Sequence, residues 1–269
     1  MFKDIKQVMK DSVLYGIGNV AVKLVGFILI PLYTDAEYFS TADYGLMGLL
    51  EVTSQILIAV MGLSLYSGLI RWYWDAEYRD KQKTIFFTTL LFTILTSLCI
   101  GSVLWLNIDE LSALLVQQEG YSLGGELPYI LQLLILTSML GAVVEVPQNL
   151  LRLQRKPIYY SLTNIVRLFA TLVLTIYFTI SLHRGVSGVY EAQLVGIVIQ
   201  LLMVLPLVIK NSSCRVDRKC TIQLLVYSYP LVFPAIVGSL LTVFDRYIIN
   251  HFQGLDDVGF YSLGYKVGN

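Results

Sequence analysis

The first strongly apolar run of the chain contains GNVAVKLVGFILIP, residues 18–31, with Lys23 near its centre. A helix of about 20 apolar residues is long enough to cross a bilayer core of about 30 Å. Runs of this kind recur along the chain, which is 56% hydrophobic and 14% charged. Soluble domains carry about 25% charged residues. The composition therefore predicts a multi-pass membrane protein, because too little charge is present to cover a water-facing surface.

Seven membrane-spanning segments are predicted, near residues 12–33, 45–70, 84–106, 128–150, 158–182, 187–209 and 225–250. They are too long and too uniformly apolar for barrel strands, so the fold class is all-α, a multi-pass membrane helical bundle. We expect an N-terminal bundle of six transmembrane helices in residues 1–220. Residues 221–269 then hold the seventh helix and the start of a second, incomplete bundle. The two prolines of YPLVFP (229–234) indicate a bend in the seventh helix, or an ordinary packing kink.

Basic residues alternate from one connection to the next. They fill the N-terminal tail and the connections after spans 2, 4 and 6: Lys3, Lys6, Lys10, Arg71, Arg79, Lys81, Lys83, Arg152, Arg155, Lys156, Lys210, Arg215, Arg218 and Lys219. The other connections together hold one basic residue, Arg184. Because short cytoplasmic loops are enriched in Lys and Arg, the N-terminus is predicted to be cytoplasmic.

The sequence contains no signature of soluble-enzyme chemistry. It has no phosphate-binding glycine loop, no nucleophile elbow and no cluster of metal ligands. Cys99, Cys214 and Cys220 match neither a metal spacing nor a disulfide framework. We therefore expect no enzyme, no catalytic residue, no metal, no cofactor and no nucleic-acid partner.

Several charged residues remain inside the predicted spans. They are Lys23, Arg167, Arg246, Glu51, Glu145, Glu191 and Asp245, whereas Lys266 is assigned to the segment after span 7. Each such group costs about 2.5–3.5 kcal/mol at a helix centre, so it normally faces a bundle interior or a water-filled cavity. For Glu145, Glu191, Asp245 and Arg246, which lie nearer the span ends, a position among the headgroups is an open alternative.

The intramembrane cations lie on polar helix faces. Lys23 is about ten residues from either end of its span, or roughly 15 Å, and shares a face with Tyr15 and Asn19. Span 5 repeats a polar residue every four positions, at Thr163, Arg167, Thr171, Thr175 and Thr179, and span 7 carries Ser239, Thr242, Arg246 and Asn250 on one face. These faces predict a hydrophilic, cation-lined cavity suited to an anionic ligand. Two alternatives stay open: the threonines hold helices together, or Lys23 forms an ion pair with Glu51.

Two nine-residue segments share a pattern. TADYGLMGL (41–49) and LDDVGFYSL (255–263) both place an aspartate two residues before a glycine, after span 1 and span 7 respectively. That placement is expected if a six-helix unit repeats. DSVLYGIGNVAVKLVGFILIPLYT with ADYGLMGLL resembles the opening of the bacterial polysaccharide-biosynthesis membrane proteins, the O-antigen-type flippases. DRYIINHFQGLDDVGFYSLGYKVGN resembles the start of their second half.

The resemblance implies a flippase in the bacterial cytoplasmic membrane, working by alternating access. Its substrate would be an undecaprenyl-diphosphate-linked oligosaccharide for lipopolysaccharide or another surface polysaccharide. The expected substrate-binding residues are Lys23, Arg167, Arg246, Asn19 and Thr171, and Glu51 or Asp245 would couple an ion or form an ion pair. Membrane lipids and the polysaccharide polymerase and chain-length machinery are the further partners expected.

Two other functions stay open. The same superfamily holds the multidrug and toxin extrusion transporters, so a cation-coupled antiporter of drugs or metabolites is an alternative, for which we expect cavity carboxylates to outnumber bases. Family members usually have twelve to fourteen spans in two bundles, and this chain stops as the second begins. A truncated, non-transporting membrane protein is the remaining alternative, and we expect no transport by this chain alone because alternating access needs both lobes.

Overall fold

The computed structural model describes residues 28–115, 125–213 and 215–268. These residues form helices and no strand, which confirms the all-α class. The helices are α1 (28–33), α2 (Thr41–Gly62), α3 (Leu65–Trp72), α4 (Gln82–Leu106), α5 (Ile108–Leu115), α6 (Glu126–Leu153), α7 (Pro157–Ile176), α8 (Gly185–Asn211), α9 (Arg218–Gln253) and α10 (Leu255–Gly268). A 3-10 turn, Ala76–Lys81, precedes α4, and a π-helical turn, Tyr177–Ser181, extends α7.

Six helical segments of the described residues are long and apolar enough to cross a membrane. They are Thr41–Gly62, Ala76–Leu106, Glu126–Leu153, Pro157–Ser181, Gly185–Asn211 and Arg218–Leu241. The third to sixth predicted spans therefore match helices to within a few residues. Most of the first predicted span, including Lys23 and Asn19, lies outside the described residues.

The second predicted span, 45–70, is wrong as a single helix. The chain breaks between α2 and α3 at Leu63 and Ser64, whose φ angles of 44° and 50° place both in the left-handed region. Non-glycine residues rarely adopt this conformation, and two in succession end an α-helix. The apolar pattern continues unchanged across GLSLY (62–66), so hydrophobicity alone does not reveal the break.

The seventh predicted span is longer than expected. α9 runs for 36 residues as one helix that includes Pro230 and Pro234. At a rise of about 1.5 Å per residue, such a helix is roughly 54 Å long. The two prolines therefore do not end the helix, and a bend of its axis at these positions stays a prediction.

The connections collect at two ends of the bundle. At the end we call the basic end (residues 71–83, 152–156 and 210–219), Lys81 pairs with Asp217 and Lys219 pairs with Glu77, at 2.6 and 2.8 Å. At the opposite end (residues 35–43, 183–191 and 250–257), Arg184 pairs with Glu191 at 2.5 Å. The three basic connections of the described residues thus share one end, as their alternation requires.

The start of α2 explains the aspartate of the first nine-residue segment. The Ser40 hydroxyl accepts a hydrogen bond from the Asp43 backbone N–H, and the Asp43 carboxylate accepts one from the Ser40 backbone N–H. This reciprocal arrangement is a capping box, which satisfies two backbone donors at a helix start. α2 then packs closely along α10, and α6 packs against α2, α4 and α8 through buried residues such as Leu131, Leu134 and Leu150.

Candidate functional site

A cavity of about 430 Å³ lies among α1, α2, α7, α8 and α10. This volume falls in the range of about 300–1,000 Å³ that is typical of ligand sites. Its polar lining consists of Tyr33, Tyr44, Glu51, Asn164, Arg167, Thr171, Thr175, Tyr190, Gln193, Ser262 and Lys266. Glu51 and Arg167 each stand nine to eleven residues from both ends of their helices. The cavity therefore lies near the middle of the predicted membrane.

Arg167 is held in this cavity by a chain of side-chain amides. Its guanidinium donates to the Gln200 side-chain oxygen at 3.1 Å, and the Gln200 amide donates to Asn164 at 2.9 Å. Gln200 is buried within α8. The chain fixes one edge of the guanidinium, whose remaining N–H donors can serve a ligand because arginine carries five.

Lys266 enters the cavity from the other side. Its ammonium lies 3.6 Å from the Glu51 carboxylate, and 5.9 and 5.5 Å from the ring centroids of Tyr33 and Tyr44. Aromatic faces attract cations at such distances. Sequence reasoning assigned this lysine to the segment after span 7 and so missed it. The four-residue spacing of Ser262 and Lys266 is the signal that could have found it, because both side chains then share one face of α10.

The described lining residues carry a net charge of +1. Arg167 and Lys266 are basic, Glu51 is acidic, and the Glu51–Lys266 pair leaves the Arg167 charge without an acidic partner in the lining. The side chains of Glu51 and Lys266 keep 47% and 31% of their accessible surface, so both remain open to the cavity. Such a site favours an anion over a cation. The predicted Lys23–Glu51 pair involves a residue outside the described ranges, and Lys266 is the partner seen for Glu51.

The threonines of α7 divide between the two roles that the sequence left open. Thr171 and Thr175 line the cavity beside Arg167. Thr163 is fully buried and accepts a hydrogen bond from Gln148 of α6 at 2.9 Å, which joins two helices. One polar face thus serves both the cavity and helix packing.

Two of the other predicted site residues, Arg246 and Asp245, are not part of the cavity lining, although Arg246 contacts the lining residue Gly48. Arg246 is 6% exposed, donates to the Gly48 backbone oxygen at 3.2 Å and stacks on the Tyr265 ring at 5.3 Å. Asp245 accepts a hydrogen bond from the Tyr261 hydroxyl. Lys23 and Asn19 lie outside the described residues. A binding role for these four residues stays a prediction.

At the basic end, the Lys81 ammonium hydrogen-bonds to Asp217 and lowers the pKa of that carboxyl below its ordinary value. Elsewhere, no three His, Cys, Asp or Glu side chains of the described ranges come together as metal ligands.

The chain matches the family model of the polysaccharide biosynthesis proteins over residues 8–269. None of the curated proteins matches it significantly. Among solved structures it is similar to an inward-facing multidrug resistance MATE family transporter of the MOP superfamily, with 15% identity and a TM-score of 0.66 over 94% of this chain and 57% of that one.

Two further structures show the same fold. The MATE transporter VcmN of Vibrio cholerae has 16% identity and a TM-score of 0.70, over 97% of this chain and 60% of that one. A MOP superfamily transporter of Pyrococcus furiosus, described as having a binding pocket of reverse polarity, has 17% identity and a TM-score of 0.68, over 97% and 58% of the two chains. The chain thus spans less than two thirds of the length of each of these three transporters.

Proposed function

The chain belongs to the polysaccharide biosynthesis protein family, and from that premise we propose that it is part of a flippase for a lipid-linked oligosaccharide. The substrate is an undecaprenyl-diphosphate-linked oligosaccharide, which crosses the bacterial cytoplasmic membrane on its way to O-antigen or another surface polysaccharide. The N-terminus is cytoplasmic. A polysaccharide polymerase and chain-length machinery take up the product.

The observation that carries this proposal is that Arg167 and Lys266 line one cavity, which we place near the middle of the membrane. A diphosphate is the anionic part of the proposed substrate, and charge-assisted hydrogen bonds to phosphate are among the strongest in proteins. Arg167 offers the free donors of its guanidinium. Lys266 turns from Glu51 toward the diphosphate, because a doubly charged group attracts it more strongly than one carboxylate.

Transport proceeds by alternating access, in which two lobes rock around a site at the bilayer midplane. α2 and α10 are packed together from the opposite end down to the cavity. We infer that this packing closes the cavity toward that end, and that parting α2 from α10 opens it. Thr171 and Thr175 supply hydroxyls to the sugar nearest the diphosphate.

A multidrug antiporter is the second candidate, since two of the three similar structures described above are MATE transporters. Against it, Glu51 is the only carboxylate of the described lining, and Lys266 neutralises it at 3.6 Å. A cationic drug needs uncompensated negative charge, which this lining lacks. The Pyrococcus furiosus transporter is described as having a pocket of reverse polarity that suggests a different function, so this fold is not confined to one pocket polarity.

The experiment replaces Arg167 or Lys266 with glutamine in the intact protein. We expect surface polysaccharide to be lost while the protein level in the membrane is unchanged, and the variants Arg167→Lys and Lys266→Arg to retain part of the export. The control is Lys83→Gln, at an exposed lysine outside the cavity. Persistent export in both glutamine variants contradicts the proposal, and loss of the protein from the membrane assigns the two cations a structural role.

A further inference from the structure

A second cavity, of about 510 Å³, lies closer to the basic end, beside the break between α2 and α3. Its lining includes Gln55 and Gly62 of α2, Ser64 of the break, Glu145 of α6 and Ser239 of α9. None of the cations of the first cavity lines it. Its only charged lining residue in the described ranges is Glu145.

Glu145 and the helix break lie at the same depth. Glu145 stands eight residues before Leu153, where α6 ends, and Ser64 stands eight residues before Trp72, where α3 ends. Both positions are therefore about 12 Å from the basic end, measured along the helices. Gly62 is the last residue of α2. The Glu145 carboxylate lies 4.0 Å from the point that a Cβ on Gly62 would occupy.

This juxtaposition brings two negative groups together inside the membrane. The last turn of an α-helix presents carbonyl oxygens without helical partners, and the helix dipole gives that end about half a negative charge. The Glu145 carboxylate faces this end, where an anion is destabilised. Leu63 and Ser64 hold the break in the left-handed conformation, a strained arrangement that is concentrated at functional sites.

The charge of Arg152 acts on Glu145, but neither Arg152 nor any other basic side chain of the described residues forms an ion pair with it. Arg152 donates to the Tyr160 hydroxyl and stacks on its ring, Arg71 stacks on Tyr227, and Arg167 bonds to Gln200. Lys83 is exposed at the start of α4, and Glu51 pairs with Lys266 in the first cavity. None of the ion pairs among the described residues includes Glu145.

We propose that Glu145 and the broken end of α2 form a binding site for a monovalent cation, H⁺ or Na⁺. In transporters, unwound backbone and half-helix C-termini supply the oxygens that hold such ions. Here the carboxylate supplies the charge, and the α2 carbonyls with the Gln55 and Ser64 side chains supply neutral oxygens. The ion is the coupling ion if the chain is a transporter as proposed above.

The test measures the melting temperature of the intact protein in detergent without any substrate, so it is independent of the proposed flippase activity. In one series, Na⁺ replaces choline in the buffer at constant ionic strength and mildly alkaline pH. In a second series, the buffer contains choline only and its pH is lowered. We expect one of the two changes to raise the melting temperature by roughly 2–4 °C, which identifies the cation. Glu145→Gln loses that rise, and Glu145→Asp retains part of it.

The matched control is Glu110→Gln, at an exposed carboxylate of α5, which keeps the rise. A wild-type protein that responds to neither change, or a Glu145→Gln variant that responds like the wild type, overturns the proposal. If Glu145→Gln does not fold, labelling of the wild-type protein with a hydrophobic carbodiimide decides. We expect the carbodiimide to label Glu145. Na⁺ should reduce the labelling if the site binds Na⁺, and acid pH should increase it if the site binds H⁺. Labelling that neither Na⁺ nor acid pH changes overturns the proposal.

Discussion

Gly45 of α2 and Gly259 of α10 contact each other reciprocally. A Cβ on Gly45 would lie 1.8 Å from the Leu255 backbone oxygen, and a Cβ on Gly259 would lie 2.5 Å from the Thr41 backbone oxygen. Thr41 and Leu255 are the first residues of the two similar nine-residue segments. Equivalent atoms therefore meet across the helix pair, as in a two-fold arrangement.

The next turn extends this contact. Gly48 and Ser262 are equivalent positions of the two segments, and a Cβ on Gly48 would lie 2.3 Å from the Ser262 hydroxyl. Small residues three or four apart let helix backbones approach closely in membranes. The repeated glycine thus has a physical reason, which is the close packing of α2 on α10.

Replacing Gly259 with alanine is expected to force α10 away from α2. The added methyl group overlaps the Thr41 backbone oxygen, which cannot move as a flexible side chain would, so we expect a loss of about 1–3 kcal/mol or more in stability. Gly264→Ala is the matched control, because it lies on the same helix with nothing within 4 Å of its Cβ position. Thermal unfolding of the intact protein measures both, and equal effects of the two substitutions contradict this packing.

Gln200 is expected to act on substrate binding through Arg167. Replacing it with leucine removes the acceptor of the 3.1 Å hydrogen bond and releases the guanidinium. A hydrogen bond to a charged group contributes about 1.5–3 kcal/mol, so the affinity for a polyprenyl diphosphate falls by roughly 10-fold or more. Calorimetry on the intact protein measures this, with the exposed Gln253→Leu as control. Unchanged affinity would show that Gln200 does not position Arg167.

The ion pairs of the basic end are expected to make stability fall in acid. The pKa of Asp217 is lowered in the folded protein, chiefly by the hydrogen bond from Lys81, so the unfolded chain binds its proton more tightly. This contribution is present above the ordinary carboxyl pKa of about 4 and is lost as the pH falls through the lower folded value. Melting curves from neutral to acid pH, compared between the wild type and Asp217→Asn, measure the difference.

The Lys81–Asp217 pair is largely exposed, so its contribution to stability is small and salt weakens it. Glu77 and Lys219 form the neighbouring pair at 2.8 Å, and exchanging these two residues for each other keeps the charges opposite. We expect the exchange to preserve stability and the single Lys219→Glu to lower it. If the Lys219→Glu variant is as stable as the variant with both residues exchanged, the Glu77–Lys219 pair does not hold α9 to the 3-10 turn.

Much of the fold follows from hydropathy. Long apolar runs with few charges have one solution in a bilayer, the helix, because every backbone group must be satisfied within the segment. That reasoning also singled out Arg167 and Glu51, since a charge deep in such a run needs a cavity or a partner. The Asp-x-Gly repeat pointed to an internal duplication, although its reciprocal contact required coordinates.

Other features depend on tertiary contacts that a pattern cannot reveal. Lys266 reaches Glu51 only because α10 turns that face toward α2, and helix rotation is decided by packing. The break at Leu63 and Ser64 contains no proline, and apolar residues continue on both sides of it, so the hydropathy pattern does not reveal it. The position of Glu145 in the sequence left open whether it lies among the headgroups or in the bundle interior, and only its approach to Gly62 connects it with the break.

The most direct measurement of the central claim is translocation by the intact protein reconstituted in liposomes. A fluorescent undecaprenyl-diphosphate oligosaccharide is placed in one leaflet, and its arrival in the other is followed, for wild type and for the Arg167→Gln, Lys266→Gln double variant. A cationic drug is tested in parallel. We predict that the wild type moves the lipid-linked oligosaccharide, that the double variant does not, and that the drug is not transported. Movement of the drug without movement of the oligosaccharide would contradict the account.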